Sequence, residues 1–323
     1  MIYGLIALGL LIFFLLYWYF AKIYRIVDKP NERSSHSYTT ISGGGIIFPV
    51  AAFLWFLASG FDCILGVAGL FLIASISFLD DLHNLHRYVR LAVQIVAVSL
   101  LFFELSFFEI PWYFWVAGYI IMTGWLNAFN FMDGINGITA FYSIATLGTF
   151  LIVAEELRFV DKDLIIILVI GVVIFSFFNV RKRALAFAGD VGSVSMAFLL
   201  GGIMLSLILN TGRFEYILFF AVYAADSVFT IFYRLIKSEN IFEPHRTHLY
   251  QYLSNELQMS QIIVSLGYAV IQLLINILTI WLIATGIMNL GLFVLATLFI
   301  SLVYLFARVF VIKKTAGIAK QGD

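Results

Sequence analysis

The run Asn127-Ala128-Phe129-Asn130-Phe131-Met132-Asp133-Gly134-Ile135-Asn136-Gly137 places three amides, one carboxylate and two glycines at the exit of an apolar segment. Asn130 and Asp133 are three apart, so on a helix they are neighbours on one face, and Gly134 and Gly137 let the backbone leave helical geometry just after them. A membrane-exit turn with capping Asn and Gly accounts for one or two such residues. A repeated Asn, Asp, Asn ladder exceeds that need and suits a polar ligand.

Four other clusters could join it. Asp80-Asp81 closes an apolar run and is followed by His83, His86, Arg87 and Arg90. Adjacent helical residues point about 100° apart, so the two carboxylates are expected to have separate tasks. Ala188-Gly189-Asp190-Val191-Gly192-Ser193 follows Arg181-Lys182-Arg183 and opens another apolar run, with Asp190 or Ser193 as the candidate helix cap. Free N–H groups at a helix start favour anions. Asp226, Thr230 and Arg234 are spaced by four, one polar stripe inside an apolar segment. A carboxylate there is a functional candidate by its cost, with a structural hydrogen bond as the alternative. His245-Arg246-Thr247-His248-Leu249-Tyr250-Gln251 follows Pro244, and a helix starting at the proline puts His245 and His248 on one face. No soft ligand accompanies them, which argues against zinc and for imidazoles that hydrogen-bond phosphate. Residues 28–36 with Ser42-Gly43-Gly44-Gly45 read as a basic, hydroxyl- and glycine-rich loop, for which anionic lipid headgroups are a sufficient partner. Carboxylates, amides, imidazoles and guanidiniums together suit Mg²⁺-dependent chemistry on a diphosphate, since magnesium takes one or two carboxylates plus phosphate oxygens.

The elements that must carry these clusters are membrane spans. The chain is 63% hydrophobic and 17% aromatic with 12% charged residues, and its mean hydropathy is +1.02. Such a composition offers no soluble surface and reads as an all-α, polytopic membrane protein in one domain over 1–323. A net charge of zero gives no basic field for nucleic acid. One cysteine, Cys63, excludes an internal disulfide and a cysteine metal cluster. A ruler of about 20 residues per span gives ten to eleven, near 3–20, 42–59, 62–79, 89–108, 111–129, 135–154, 163–178, 191–210, 215–236, 262–285 and 289–311. The first run has its basic residues after it, which reads as a retained helix with the N-terminus outside. Of the 19 Lys and Arg residues, all but Arg158, Lys162 and Arg213 then fall on the cytoplasmic side, and the C-terminus is cytoplasmic. Segments 21–41, 80–90, 127–137, 179–193 and 237–260 would all lie on that face.

In order along the chain, Asp80-Asp81, Asn127 to Gly137, Gly189-Asp190-Val191-Gly192-Ser193, the Asp226 to Arg234 stripe and His245 to Gln251 resemble the motifs of the bacterial polyprenyl-phosphate N-acetylhexosamine-1-phosphate transferases. These are glycosyltransferases of type 4, related to the phospho-MurNAc-pentapeptide transferase. The His-Arg-x-His-x-Tyr-Gln form resembles the branch that initiates O-antigen and related surface glycans. The resemblance implies a bacterial inner-membrane enzyme with a cytoplasmic cleft, in which undecaprenyl phosphate attacks the β-phosphorus of a UDP-N-acetylhexosamine and releases UMP. It implies Mg²⁺, with Mn²⁺ as a substitute, held by Asp190, and it allows a homodimer. By the same resemblance Asp80, Asp81, Asp190, His245 and His248 would be catalytic. Asn127, Asn130, Asp133, Asn136, Arg181, Asp226, Arg246 and Tyr250 would bind substrate.

Two positions depart from the family pattern. Asn136 stands where the family often has Asp, so hydrogen bonding rather than charge is expected there, and Thr40-Ile41-Ser42 replaces the Pro and Arg that tend to precede the glycine triplet. A phosphate monoester with a second pKa of about 6 is mostly dianionic at neutral pH, which leaves a general base little to remove. Asp80 and Asp81 are therefore expected to position groups. The reading from another class is an ion-coupled transporter or lipid flippase that uses Asp226, against which the absence of a visible repeat and the gathering of polar groups at one face both count.

Overall fold

A computed structural model describes residues 2–30, 35, 38–83, 85–240 and 245–319. Positions 31–34, 36, 37, 84 and 241–244, which include parts of the predicted basic loop, Asn84 and Pro244, lie outside the described residues. The helices are α1 (Ile2–Ile23), α2 (Ile47–Ala58), α3 (Ile64–His83), α4 (Arg87–Glu104), α5 (Trp112–Met132), α6 (Ile138–Leu157), α7 (Lys162–Asn179), α8 (Gly189–Thr211), α9 (Ala221–Ile236), the short α10 (Leu249–Gln251), α11 (Gln261–Ala284) and α12 (Leu290–Ala319). Each predicted span corresponds to one of them. Among the described residues eight helical segments are long and apolar enough to cross a membrane. Of the others, α2 has only 12 residues, while α4 and α5 turn polar side chains such as Gln94, Asn127 and Asn130 to the cavity described below. The chain is a multi-pass, all-helical membrane protein. Strand is confined to an antiparallel pair among the described residues, β1 (Val27–Asp28) with β2 (Thr40–Ile41).

In a bilayer, helices associate through close packing and internal hydrogen bonds, because lipid tails are as apolar as leucine. Small residues therefore decide which helices touch. α8 is the most enclosed span, with 78% of its apolar window buried. A Cβ on Gly45 would overlap Gly192 of α8, which seats the entry to α2 directly on α8. A Cβ on Gly69 of α3 would lie 2.8 Å from the Ala97 carbonyl oxygen and 3.1 Å from the Phe198 ring, so α3 fits between α4 and α8. Trp125 of α5 donates its Nε1–H to the Ala197 oxygen of α8 at 2.9 Å. The glycine triplet is thus a buried, hydrogen-bonded turn and not a flexible tether. Gly44 and Gly45 donate to the oxygens of Phe187 and Ala188 at 2.8 and 2.9 Å.

The span predicted over 215–236 is interrupted. Phe214–Phe220 is a 3₁₀ segment, and the α-helix resumes at Ala221. Gln272 of α11 repairs the break, donating to the Leu218 oxygen at 2.9 Å and accepting from the Val222 N–H at 2.9 Å and the Tyr142 hydroxyl at 2.9 Å. Irregular backbone at membrane depth survives only when protein satisfies it in this way. At the periphery, α1 and α12 are 17% and 6% buried over their apolar windows and face lipid.

Candidate functional site

Residues from all five segments assigned to one face converge on a single cavity of about 1200 Å³. Asp28 and Ser35 come from the first, Asp80, Asp81 and Arg90 from the second, Asn127 to Asn136 from the third, Asn179 and Asp190 from the fourth, and His245, His248 and Gln251 from the fifth.

The acidic wall is built by the ends of α3, α4 and α8. Asp80 accepts from Arg90 Nη1 at 2.5 Å and from the Leu85 N–H at 2.5 Å, while Asp81 accepts from the N–H groups of Asp190 and Val191 at 3.0 and 3.2 Å. The two acids do different work, as their angular separation on a helix requires. α8 was expected to be capped by its own Asp190 or Ser193. Its first amides are instead capped from α3 by Asp81, and Ser193 donates to the Gly189 oxygen at 3.1 Å and to Asn130 Oδ1 at 2.8 Å. Gly189 makes the approach possible: its φ is +70°, and a Cβ there would sit 2.7 Å from Asp81 Oδ2. Asp190 is left facing the cavity, with Oδ2 3.6 Å from Arg90. Three carboxylates around one close guanidinium leave a negative balance that suits a divalent cation. Among the described residues no group of three or more His, Cys, Asp or Glu forms a closed metal cage. An open site with one or two carboxylates matches magnesium shared with phosphate oxygens.

The amide wall is the end of α5. Asn127 donates to Gln94 Oε1 at 3.1 Å and to the Thr123 oxygen at 2.7 Å, tying α5 to α4. Helix α5 stops at Met132, and the half-buried Asp133 turns to accept from Thr139 Oγ1 at 2.5 Å. Burial raises its carboxyl to about 7 against the pull of the Thr139 hydroxyl, and the charge of Asp81 adds to the rise. Asn136 is 2% exposed and works as a strut. Its Nδ2 donates to the Arg181 oxygen at 2.8 Å and the Lys182 oxygen at 3.4 Å.

The histidine wall differs from its prediction in local structure. Residues 245–248 are not helical; His248 is extended at φ −69° and ψ 149° and precedes α10. The two rings still meet, stacked with centroids 5.0 Å apart. Burial, with His248, Arg234 and Arg308 nearby, pushes His245 down to about 3, so this ring is neutral at neutral pH.

Four predicted substrate residues stand elsewhere. Asp226 is wholly buried behind His248 and does not line the cavity. Tyr250 is also fully buried, donating to the Phe131 oxygen at 2.8 Å beneath the turn at Gly134. Arg181 and Arg246 face a neighbouring recess of about 510 Å³ that meets the main cavity at Ser35 and Gln261. Arg90, named beside the acid pair in the sequence but given no role there, is the partner of Asp80. Asn179, which opens the segment 179–193, was likewise given no role: its Oδ1 accepts from the Gly137 N–H at 2.7 Å and its Nδ2 donates to the Ala186 oxygen at 3.0 Å. Arg90 had a visible signal, being a cation one short turn beyond the acid pair.

Fold and cavity define a membrane protein whose polar loops assemble one carboxylate-rich site. Comparison with known proteins adds that the family described as glycosyl transferase family 4 matches residues 63–208, a stretch that contains Asp80, Asp81, the Asn127 to Gly137 run and Asp190. A probable undecaprenyl-phosphate N-acetylglucosaminyl 1-phosphate transferase of Bacillus subtilis (strain 168) is 24% identical over 253 residues, covering 70% of this chain and 69% of the relative. A phospho-N-acetylmuramoyl-pentapeptide-transferase of Thermotoga maritima is 25% identical over 252 residues, covering 70% and 82%. One of the same name from Streptococcus gordonii is 30% identical over 183 residues, covering 50% and 55%. Over residues 63–208 the chain is similar to glycosyl transferase family 4.

Proposed function

We propose that the protein transfers a sugar 1-phosphate from a UDP-N-acetylhexosamine to undecaprenyl phosphate, giving undecaprenyl-diphospho-sugar and UMP, as the first membrane step of an O-antigen or related surface glycan. The observation that carries this reading is the meeting of Asp80, Asp81 and Asp190 with Arg90, Asn130, Asp133, His245 and His248 around one cavity. The names of the relatives supply the substrate class. In this reading the protein sits in the bacterial inner membrane with its N-terminus outside and its cavity and C-terminus toward the cytoplasm.

The cavity has two characters. Leu91, Ile120, Phe131 and Ile231 give it an apolar side toward the bilayer, fit for a lipid phosphate, while the acid, amide and histidine walls face the soluble donor. An oxygen of the lipid phosphate forms a bond to the β-phosphorus as the bond from that phosphorus to the UMP oxygen breaks. Asp190 would hold Mg²⁺, which when bound supplies charge neutralisation on the diphosphate. Arg90, held by Asp80, offers positive charge beside Asp190. Asp81 fixes the amides that carry Asp190, and both its oxygens are engaged in doing so. That engagement favours a positioning role over a base. His245, neutral, offers hydrogen bonds rather than a countercharge. The enclosure of Asp226 away from the cavity weighs against coupled ion transport through it.

The test is UMP release by purified protein in detergent with undecaprenyl phosphate, a panel of UDP-N-acetylhexosamines, and Mg²⁺ or EDTA. Release that needs lipid, protein and metal supports the reading and names the donor. Silence across the panel from folded protein counts against it.

A further inference from the structure

The most heavily bonded carboxylate among the described residues belongs to none of the walls. Asp226 Oδ1 accepts from Leu249 N–H at 3.1 Å, Tyr304 hydroxyl at 3.0 Å and Thr230 hydroxyl at 3.3 Å, and it lies 3.1 Å from His248 Nδ1; Oδ2 accepts from Tyr268 hydroxyl at 2.6 Å. Behind it stands Arg308 of α12, whose Nη1 donates to Thr230 Oγ1 at 2.7 Å and Tyr304 Oη at 2.8 Å, and whose Nη2 donates to the Thr247 oxygen at 2.8 Å. A guanidinium can only donate. Tyr304 and Thr230 therefore accept from Arg308 and turn their own hydrogens to Asp226. With a backbone N–H on the same oxygen, the contacts on Oδ1 are donor to acceptor, and the proton between Asp226 and His248 belongs to Nδ1.

This decides what the cavity meets. His248 lines the cavity, is 2% exposed, and its Nε2 has no hydrogen-bond partner among the described residues. A histidine whose Nδ1–H is held by a carboxylate has its ring orientation and tautomer set, and the other nitrogen is the one offered to a ligand.

We propose that Asp226 is a positioning residue of the transfer reaction: backed by Tyr268, Tyr304 and Arg308, it holds the His248 Nδ1–H and thereby presents Nε2 to the bound substrate. The proposal rests on the transferase reading for its kinetic part. It also gives α12 a task, since a helix that otherwise faces lipid contributes Tyr304 and Arg308 to this relay.

The experiment has two arms. In the first, protein labelled with ¹⁵N-histidine is observed in detergent by NMR, with the His248 signals among the five histidines identified by their loss in His248→Asn. A proton on Nδ1 is expected, and in Asp226→Asn a weaker Nδ1–H hydrogen bond with a larger share of the Nε2–H tautomer, because the neutral amide oxygen that the Leu249 N–H keeps at the Oδ1 place accepts less strongly than a carboxylate. A wild-type His248 with bare Nδ1 overturns the proposal. In the second, turnover is measured for Asp226→Asn, His248→Ala and the double variant. Asp226→Asn is expected to lower kcat on the order of 10- to 100-fold, with no further loss in the His248→Ala background. Additive losses overturn the proposal, since they would mean that Asp226 acts through something other than His248. Should Asp226→Asn fail to fold, Tyr304→Phe enters the same cycle, with a several-fold loss expected only when His248 is present. Absence of transfer in the wild type would remove the reaction reading, while the NMR arm still decides the tautomer.

Discussion

Asp81→Asn keeps the size of a side chain whose two oxygens hold the first amides of α8 and removes its charge. An amide oxygen can serve one of the two N–H groups at 3.0 and 3.2 Å but not both with the same strength. Losing one hydrogen bond to a charged acceptor costs about 1.5–3 kcal/mol, and at about 1.36 kcal/mol per tenfold a loss of that size corresponds to a 10- to 150-fold fall in rate. The fall should be the same from pH 7 to pH 9, because it arises from misplacement of Asp190. A general base would behave differently. An acceptor with a second pKa of about 6 is roughly 90% dianion at pH 7 and nearly all dianion above pH 8, so a variant lacking only a base loses little and recovers. The assay is the ratio of wild-type to variant turnover across that range, with Mg²⁺ saturating. A ratio that returns toward one at high pH would refute the positioning role.

Asp190→Asn is expected to abolish Mg²⁺-dependent turnover while the protein stays folded by thermal unfolding and gel filtration, because Asp190 is exposed to the cavity at 30% of its side chain and its ion pair with the half-exposed Arg90 is long, at 3.6 Å. Asp133 carries a carboxyl raised to about 7, above about 3.9 in an unfolded chain. The folded state therefore holds that proton longer, and the stability it lends, full below about pH 4, is lost as pH rises through about 7. Asp133→Asn should then raise the unfolding temperature at pH 8 and change it little at pH 4.5; an equal shift at both would contradict the burial argument. Asn136→Asp, which introduces the residue common in the family, should destabilise this chain by about 1–3 kcal/mol, because a carboxylate cannot donate to the carbonyls of Arg181 and Lys182. Gly192→Ala should lower the yield of folded protein and its unfolding temperature by the about 1–3 kcal/mol of an overpacked contact, since the new Cβ would meet Gly45 backbone.

The spans and the five polar clusters were legible because a polar residue stands out in a chain this apolar. What joins the clusters was not. Asp81 caps a helix 109 residues away, and the cap was sought within α8 because local sequence is where caps usually lie. Asp226 was recognised as exceptional, but spacing within α9 does not reveal that its partners sit on α10, α11 and α12. Tyr304 and Arg308 looked like an ordinary span end. The break before α9 escaped notice because hydropathy averages over it, and Gln272, which repairs it, is one polar residue in an apolar helix. The glycine triplet read as part of a basic loop because the sequence does not show that Gly192 lies against it.

The central claim is that a phosphoryl group moves with the sugar. Donor labelled with ³²P in the β-phosphate is incubated with the protein, Mg²⁺ and undecaprenyl phosphate, and the label is followed into organic-extractable lipid and into nucleotide. The account predicts label in the lipid product with unlabelled UMP released one for one. Label that leaves as UDP, with sugar alone on the lipid, would contradict it.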